Sequence, residues 1–122
     1  MAPRKYDTGN IFAKILRSEI PCNKVFEDDF ALAFHDIDPQ APVHVLVIPK
    51  GEYISSHDFF GDAPEAEIAG FCRAVVKVAD ELGIRENGYR ILANHGDDAN
   101  QEVLHFHVHI FAGKNVGPML AR

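Results

Sequence analysis

The sequence predicts an α+β fold, a mostly antiparallel five-stranded sheet packed with one long and one short helix. Three observations lead there. Runs rich in β-branched and aromatic residues, bounded by turn formers, mark strands at about 23–27, 29–36, 43–48, 88–94 and 103–111. Ile68, Phe71, Cys72, Val75, Ala79 and Leu82 recur at three- and four-residue intervals, an apolar helical stripe that Gly83 can end. The glycine fingerprint of a dinucleotide-binding βαβ unit is absent.

Taken in order, residues 1–10 form a loose lead-in, and Asn10 can cap a short helix over Ile11–Arg17 before Ile20-Pro21 forces an extended exit. Phe12 and Ile15 share one side of it and read first as core. Glu27-Asp28-Asp29 turns the first strand into the second, which reaches Asp36. The ordered loop from Asp36 to Pro42 contains two prolines; Asp36 either caps that loop or binds a ligand's hydroxyl pair, and residue type favours the cap.

Val43–Ile48 reads as a central strand stopped by Pro49-Lys50-Gly51, with His44 able to face a paired histidine strand. Tyr53–Phe60 is a short helix or ordered connection. Asp62 is expected to cap the long helix, with Glu65 completing a box and Pro64 in the first turn, while Cys72 is expected to pack rather than react. A polar loop from His95 to Gln101 closes an antiparallel hairpin between the last two strands, and the tail after Gly113 is irregular. No repeat or linker divides the 122 residues, so 1–122 is read as a single domain.

Charge and cysteine usage narrow the function classes. A net charge of -6 disfavours nucleic acid and anionic membrane surfaces. Cys22 and Cys72 make neither a disulfide framework nor a paired-cysteine zinc motif. No segment has a secretory core or the roughly 20 apolar residues of a membrane span, so a cytoplasmic protein is expected.

The chemistry concentrates in Val103–Phe111. As a strand it places His105, His107 and His109 on one face and Phe106, Val108 and Ile110 on the other. Successive same-face side chains stand about 7 Å apart and the outer pair about 13 Å apart, too far for one zinc to collect all three at roughly 2 Å. A metal held by one or two of them together with His44 ranks well behind metal-free chemistry, and no cofactor is expected. Imidazoles can instead divide the roles of nucleophile, proton donor and orienter near neutral pH, while Asn94 and Gln101 offer polar groups for a phosphate. A merely polar strand face is the plain alternative; the pattern favours phosphate binding or phosphoryl transfer.

His105-Phe106-His107-Val108-His109-Ile110-Phe111 resembles the signature of the histidine triad family, and the likeness extends to Ile11–Ile15, Glu19–Pro21, Phe34–Ile37, Pro39–His44, Val47–Lys50 and Asn94. The branch most resembled is the small nucleotide-binding members, which are purine nucleoside phosphoramidases. That resemblance implies a homodimer whose strands form one continuous sheet, with purine nucleotides such as AMP or GMP as ligands. It implies that His107 attacks the α-phosphorus of a nucleoside 5'-phosphoramidate, that a nucleotidyl-histidine forms, and that water releases the monophosphate.

By the same likeness His109 contacts the phosphate or leaving group, and His44 with His105 forms a relay that sets the reactive tautomer. Asp36 accepts the ribose hydroxyls, Phe12, Ile15, Phe34, Ile37 and Leu46 line the base slot, and Asn94 and Gln101 sit at the phosphate. Glu102 departs from the serine common in animal members, Asn100 replaces a common glycine, and the ending Val116–Leu120 looks like that of short bacterial members. The rivals are a dinucleoside polyphosphate hydrolase and a non-catalytic purine-nucleotide-binding interaction protein.

Overall fold

In the computed structural model, which describes residues 5–121, the chain runs α1 (Ile11–Leu16), β1 (Lys24–Glu27), β2 (Ala31–His35), β3 (Val43–Pro49), α2 (Ser56–Asp62), α3 (Glu65–Leu82), β4 (Arg90–Leu92), a 3-10 turn (Asp97–Ala99) and β5 (Val108–Ala112). The strands form one five-stranded sheet ordered β1-β2-β3-β5-β4, and every described pairing is antiparallel. The expected α+β architecture is present. Residues 1–4 of the expected lead-in and residue 122 of the tail lie outside the described residues.

Period-two alternation in β2 and β3 sorts the core into two parts. Ala31, Ala33, Val45 and Val47 face α3, where they meet Phe59, Phe71, Val78, Phe106 and Ile110. Leu32, Phe34, Leu46 and Ile48 face the other way and pack with Phe12 of α1. Gly70 lets α3 approach the sheet closely, because a Cβ there would stand 2.3 Å from the Phe30 ring.

Several boundaries differ from expectation. Regular pairing begins at Val108 instead of Val103. Continuing the β3–β5 register would set Pro49 opposite Phe106, but Pro49 has no N–H to extend a ladder; its carbonyl takes the His105 ring instead, and the Phe106 N–H donates to the Tyr53 carbonyl at 2.7 Å. β4 is only three residues long, pairing Arg90–Leu92 with Phe111–His109, and Gly88 two residues before it has a φ of 91°.

The capping box belongs to α2, where Ser55 and Asp58 exchange side-chain-to-backbone bonds. Asp62 is the last residue of α2, and α3 starts after Pro64 with no side-chain cap. Gly83 ends α3 in the left-handed conformation, as expected. Cys72 is exposed rather than packed, since the buried face runs through Phe71, Ala74, Val75, Val78 and Ala79. The described lead-in is also not loose: Gly9 and Asn10 donate backbone N–H bonds to Asp7, and Arg17 reaches the Thr8 carbonyl.

Candidate active site

The long α3 closes one sheet face, whereas the six-residue α1 covers only part of the other, and beside it a cavity of about 960 Å³ remains. Asn10 caps α1 by accepting the Ala13 N–H at 2.9 Å, which holds Phe12 and Ile15 at the cavity wall. Phe34, Ile37 and Leu46 line the same space, with Asp36 and Asn94 beside them, and His44, His107 and His109 complete the wall. Ile37 is fully exposed at the rim.

His105 and Gln101 sit behind the wall. His105 is completely buried. The Gln101 amide is engaged within its loop, accepting the Gly96 N–H and donating to the Ile54 and Val103 carbonyls.

Hydrogen-bond partners assign each imidazole a tautomer. The Gln40 N–H donates to His44 Nδ1 at 3.1 Å, leaving the His44 proton on Nε2 to bridge the 2.9 Å to His109 Nδ1. His109 therefore carries its own proton on Nε2. His107 Nδ1 donates to the His105 carbonyl at 2.7 Å, which leaves His107 Nε2 with a free lone pair. His105 donates from Nε2 to the Pro49 carbonyl at 3.0 Å and accepts the Tyr6 hydroxyl on Nδ1 at 2.5 Å. His44 and His105 thus serve two separate branches, one ending on His109 and the other on His107.

Burial keeps these rings neutral. It is the largest influence on all four and lowers each from the ordinary value, taking His105 and His109 to about 4. Opposing it at His107 are its bond to the His105 carbonyl and the charges of Asp36 and Glu102. The His107 and His109 rings lie 5.0 Å apart, closer than regular strand spacing because His107 precedes the paired segment.

Of the two roles considered for Asp36, the structure shows the cap. One oxygen caps the loop by accepting the Asp38 N–H at 2.8 Å, while the other stands 3.5 Å from His44 Nε2. Asp36, His44 and His109 each place one ligand atom within 4.8 Å of the others, the described trio best disposed toward a cation. Two of those atoms are already bonded to each other, so a metal would have to displace the His44–His109 bond.

Two participants escaped sequence reasoning. Phe111 packs against His44 at 4.2 Å and lies parallel to His109 at 5.6 Å; the alternation that selected the histidines extends to it. Tyr6 carried no comparable signal.

The HIT domain family model matches residues 17–116. The chain belongs to the HIT, or histidine triad, family. It is 60% identical over 119 residues to an uncharacterised 13.2 kDa HIT-like protein of Azospirillum brasilense, covering 98% of each. It is 41% identical over 111 residues to the purine nucleoside phosphoramidase of Escherichia coli K12, covering 91% of this chain and 92% of that protein. A histidine triad protein structure from Clostridium difficile superposes with a TM-score of 0.82 at 41% identity, covering 93% and 98% of the two chains. The clustered histidines and this shared fold support an enzymatic role.

Proposed function

We propose that this HIT protein hydrolyses purine nucleoside 5'-phosphoramidates to a nucleoside monophosphate and an amine. The observation carrying the reading is the pair of opposite tautomers at the cavity wall, His107 with a bare Nε2 and His109 with a protonated one. His107 Nε2 attacks the α-phosphorus and forms an N–P bond as the bond to the leaving nitrogen breaks. The proton on His109 Nε2 passes to that nitrogen while the His44–His109 pair takes up a solvent proton in its place, so His109 stays a neutral imidazole and the amine departs. Water then attacks phosphorus, the His107–phosphorus bond breaks, and the monophosphate leaves with its proton count restored through the same imidazoles.

In this reading Phe12, Ile15, Phe34, Ile37 and Leu46 hold the purine, Asp36 accepts the ribose hydroxyls with its remaining lone pairs, and Asn94 reaches the phosphate. Gln101 braces the loop behind Asn94 and meets a phosphate only by releasing its present bonds. The similarity to the Escherichia coli phosphoramidase supports this branch. The cavity wall also disfavours a dinucleoside polyphosphate, because among the described residues it carries Asp36, Asp38 and Glu102 and no lysine or arginine. A metal is not needed for either step.

We infer a homodimer joined at the β4 edges, where Ile91 and Tyr89 are exposed, and a cytoplasmic location; no described helix is long and apolar enough to cross a membrane. Sedimentation velocity tests the assembly. For the reaction, the purified protein is incubated with adenosine 5'-monophosphoramidate. AMP release together with a trapped histidine adduct is expected, and purine binding without either would reject the phosphoramidase reading; turnover of a diadenosine polyphosphate then separates the hydrolase rival from the interaction-protein one.

A further inference from the structure

Tyr6 lies 99 positions from His105 in the chain, yet its hydroxyl meets His105 Nδ1 at 2.5 Å. That bond belongs to a longer construction around one peptide unit. The unit joining His105 to Phe106 is held at both ends: its N–H donates to the Tyr53 carbonyl at 2.7 Å, and its C=O accepts from His107 Nδ1 at 2.7 Å. The orientation of that unit therefore decides whether the proton of His107 stays on Nδ1. The His105 ring hangs from the same residue, buried, with one nitrogen on Pro49 and the other on Tyr6.

Only one His105 tautomer satisfies both neighbours well. The Pro49 carbonyl can only accept, so Nε2 must carry the proton and Nδ1 must be the acceptor. Tyr6 supplies the donor that this tautomer needs; without it a fully buried nitrogen is left unpaired, a condition that favours ring rotation or tautomer exchange. The Asp7–Asn10 turn delivers Tyr6 to this position, and its Asn10 also caps α1. Phe12 of that helix stands edge-on to both His105 and His107, at 6.4 and 5.0 Å. One short N-terminal segment thus touches the ring, the nucleophile and the base slot.

We propose that Tyr6 is a positioning residue for the nucleophile: its hydroxyl locks His105 in the Nε2–H tautomer and thereby holds the carbonyl that keeps the His107 proton on Nδ1. Its role in turnover rests on the phosphoramidase reading, whereas its control of the tautomers does not.

The test is Tyr6→Phe, which keeps the ring and removes only the donor. In the wild type, 15N spectra of the imidazoles should show His105 protonated on Nε2 and His107 on Nδ1. In Tyr6→Phe both signals should move toward values averaged over the two nitrogens. With adenosine 5'-monophosphoramidate, kcat should fall about five- to tenfold, the loss of roughly one hydrogen bond, while KM stays within about twofold. Incorporating 3-fluorotyrosine at position 6, which retains the donor, should restore both readouts.

Unchanged tautomers in Tyr6→Phe overturn the proposal, even if the melting temperature drops, because that pattern describes a residue that only seals the fold. Shifted tautomers with unchanged kcat overturn the catalytic half. A wild type that releases no AMP rejects the phosphoramidase reading, and the imidazole spectra still decide whether Tyr6 controls the tautomers.

Discussion

The two faces of the sheet use the same strands for different ends. Toward α3, alternate residues of β2 and β3 are alanine and valine, and aromatic rings from α2, α3 and Phe106 fill the space above them. Toward α1 the intervening residues are larger, yet only Phe12, Leu32, Phe34, Leu46 and Ile48 form the buried cluster. Small strand residues under a long helix make a dry core. Large strand residues under a short helix leave an open cavity whose far wall is imidazole. With the proposed function, the division places stability on one face and chemistry on the other, and it can be broken experimentally.

The largest expected effect is on the chemical face. His107→Ala should reduce phosphoramidate turnover by at least about a thousandfold, as loss of a nucleophile generally does, while AMP binding by isothermal titration persists. Retention of a tenth of the activity would move the nucleophile elsewhere. On the opposite face, Phe71→Ala should cost about 3–5 kcal/mol in urea unfolding, since Phe71 is almost fully buried among Phe59 and Phe106. Its kcat under folding conditions should stay near wild type. Phe12→Ala should shift the balance, with KM raised about tenfold through loss of a stacking surface and a stability loss smaller than that of Phe71→Ala, because Phe12 borders the open cavity.

Acid should separate the faces as well. His105 and His109 protonate near 4 when folded and near 6.5 when unfolded. Between those values the unfolded chain binds more protons, so stability is complete above about 6.5 and is lost as pH falls toward 4. For the fully buried His105 the loss is on the order of 3 kcal/mol at the lower end. Hydrogen exchange at pH 5 should therefore show amides of α1 losing protection before those of α3. Uniform loss across both helices would show that acid does not distinguish the faces.

Much of this division was legible in the chain. Alternation in Val103–Phe111 puts Phe106, Val108 and Ile110 on the side opposite the histidines, and the structure agrees even though regular pairing covers only Val108–Ala112. Side-chain direction follows local extension, whereas a ladder also needs a partner with free N–H groups, and Pro49 lacks one. The helical stripe is legible in the sequence, but its spacing sets Cys72 on the buried side, because spacing alone does not fix where the edge of a stripe falls. Residue type leaves Asp36 as a cap or a ligand group; the structure shows the cap and sets its second oxygen beside His44. Tyr6 was invisible because a single tyrosine in a polar lead-in has no periodicity, and its partner is set by tertiary closure.

The smallest expected effect comes from the residue that departs from the serine of animal members. Glu102 lines the cavity, is exposed, and its charge favours the protonated form of His107. Replacing it by serine removes a carboxylate that would repel a substrate phosphate and slightly disfavours the neutral form of His107, the proposed nucleophile. Because the group is solvated, the gain is modest: Glu102→Ser should raise kcat/KM about two- to fivefold at low salt, shrinking toward parity near 1 M, where the Debye length is about 3 Å. A gain independent of salt would indicate that the serine hydroxyl donates directly to the phosphate. No gain at any ionic strength would place the Glu102 charge outside the reacting region and leave burial, the His105 carbonyl and Asp36 as the controls on the nucleophile's proton.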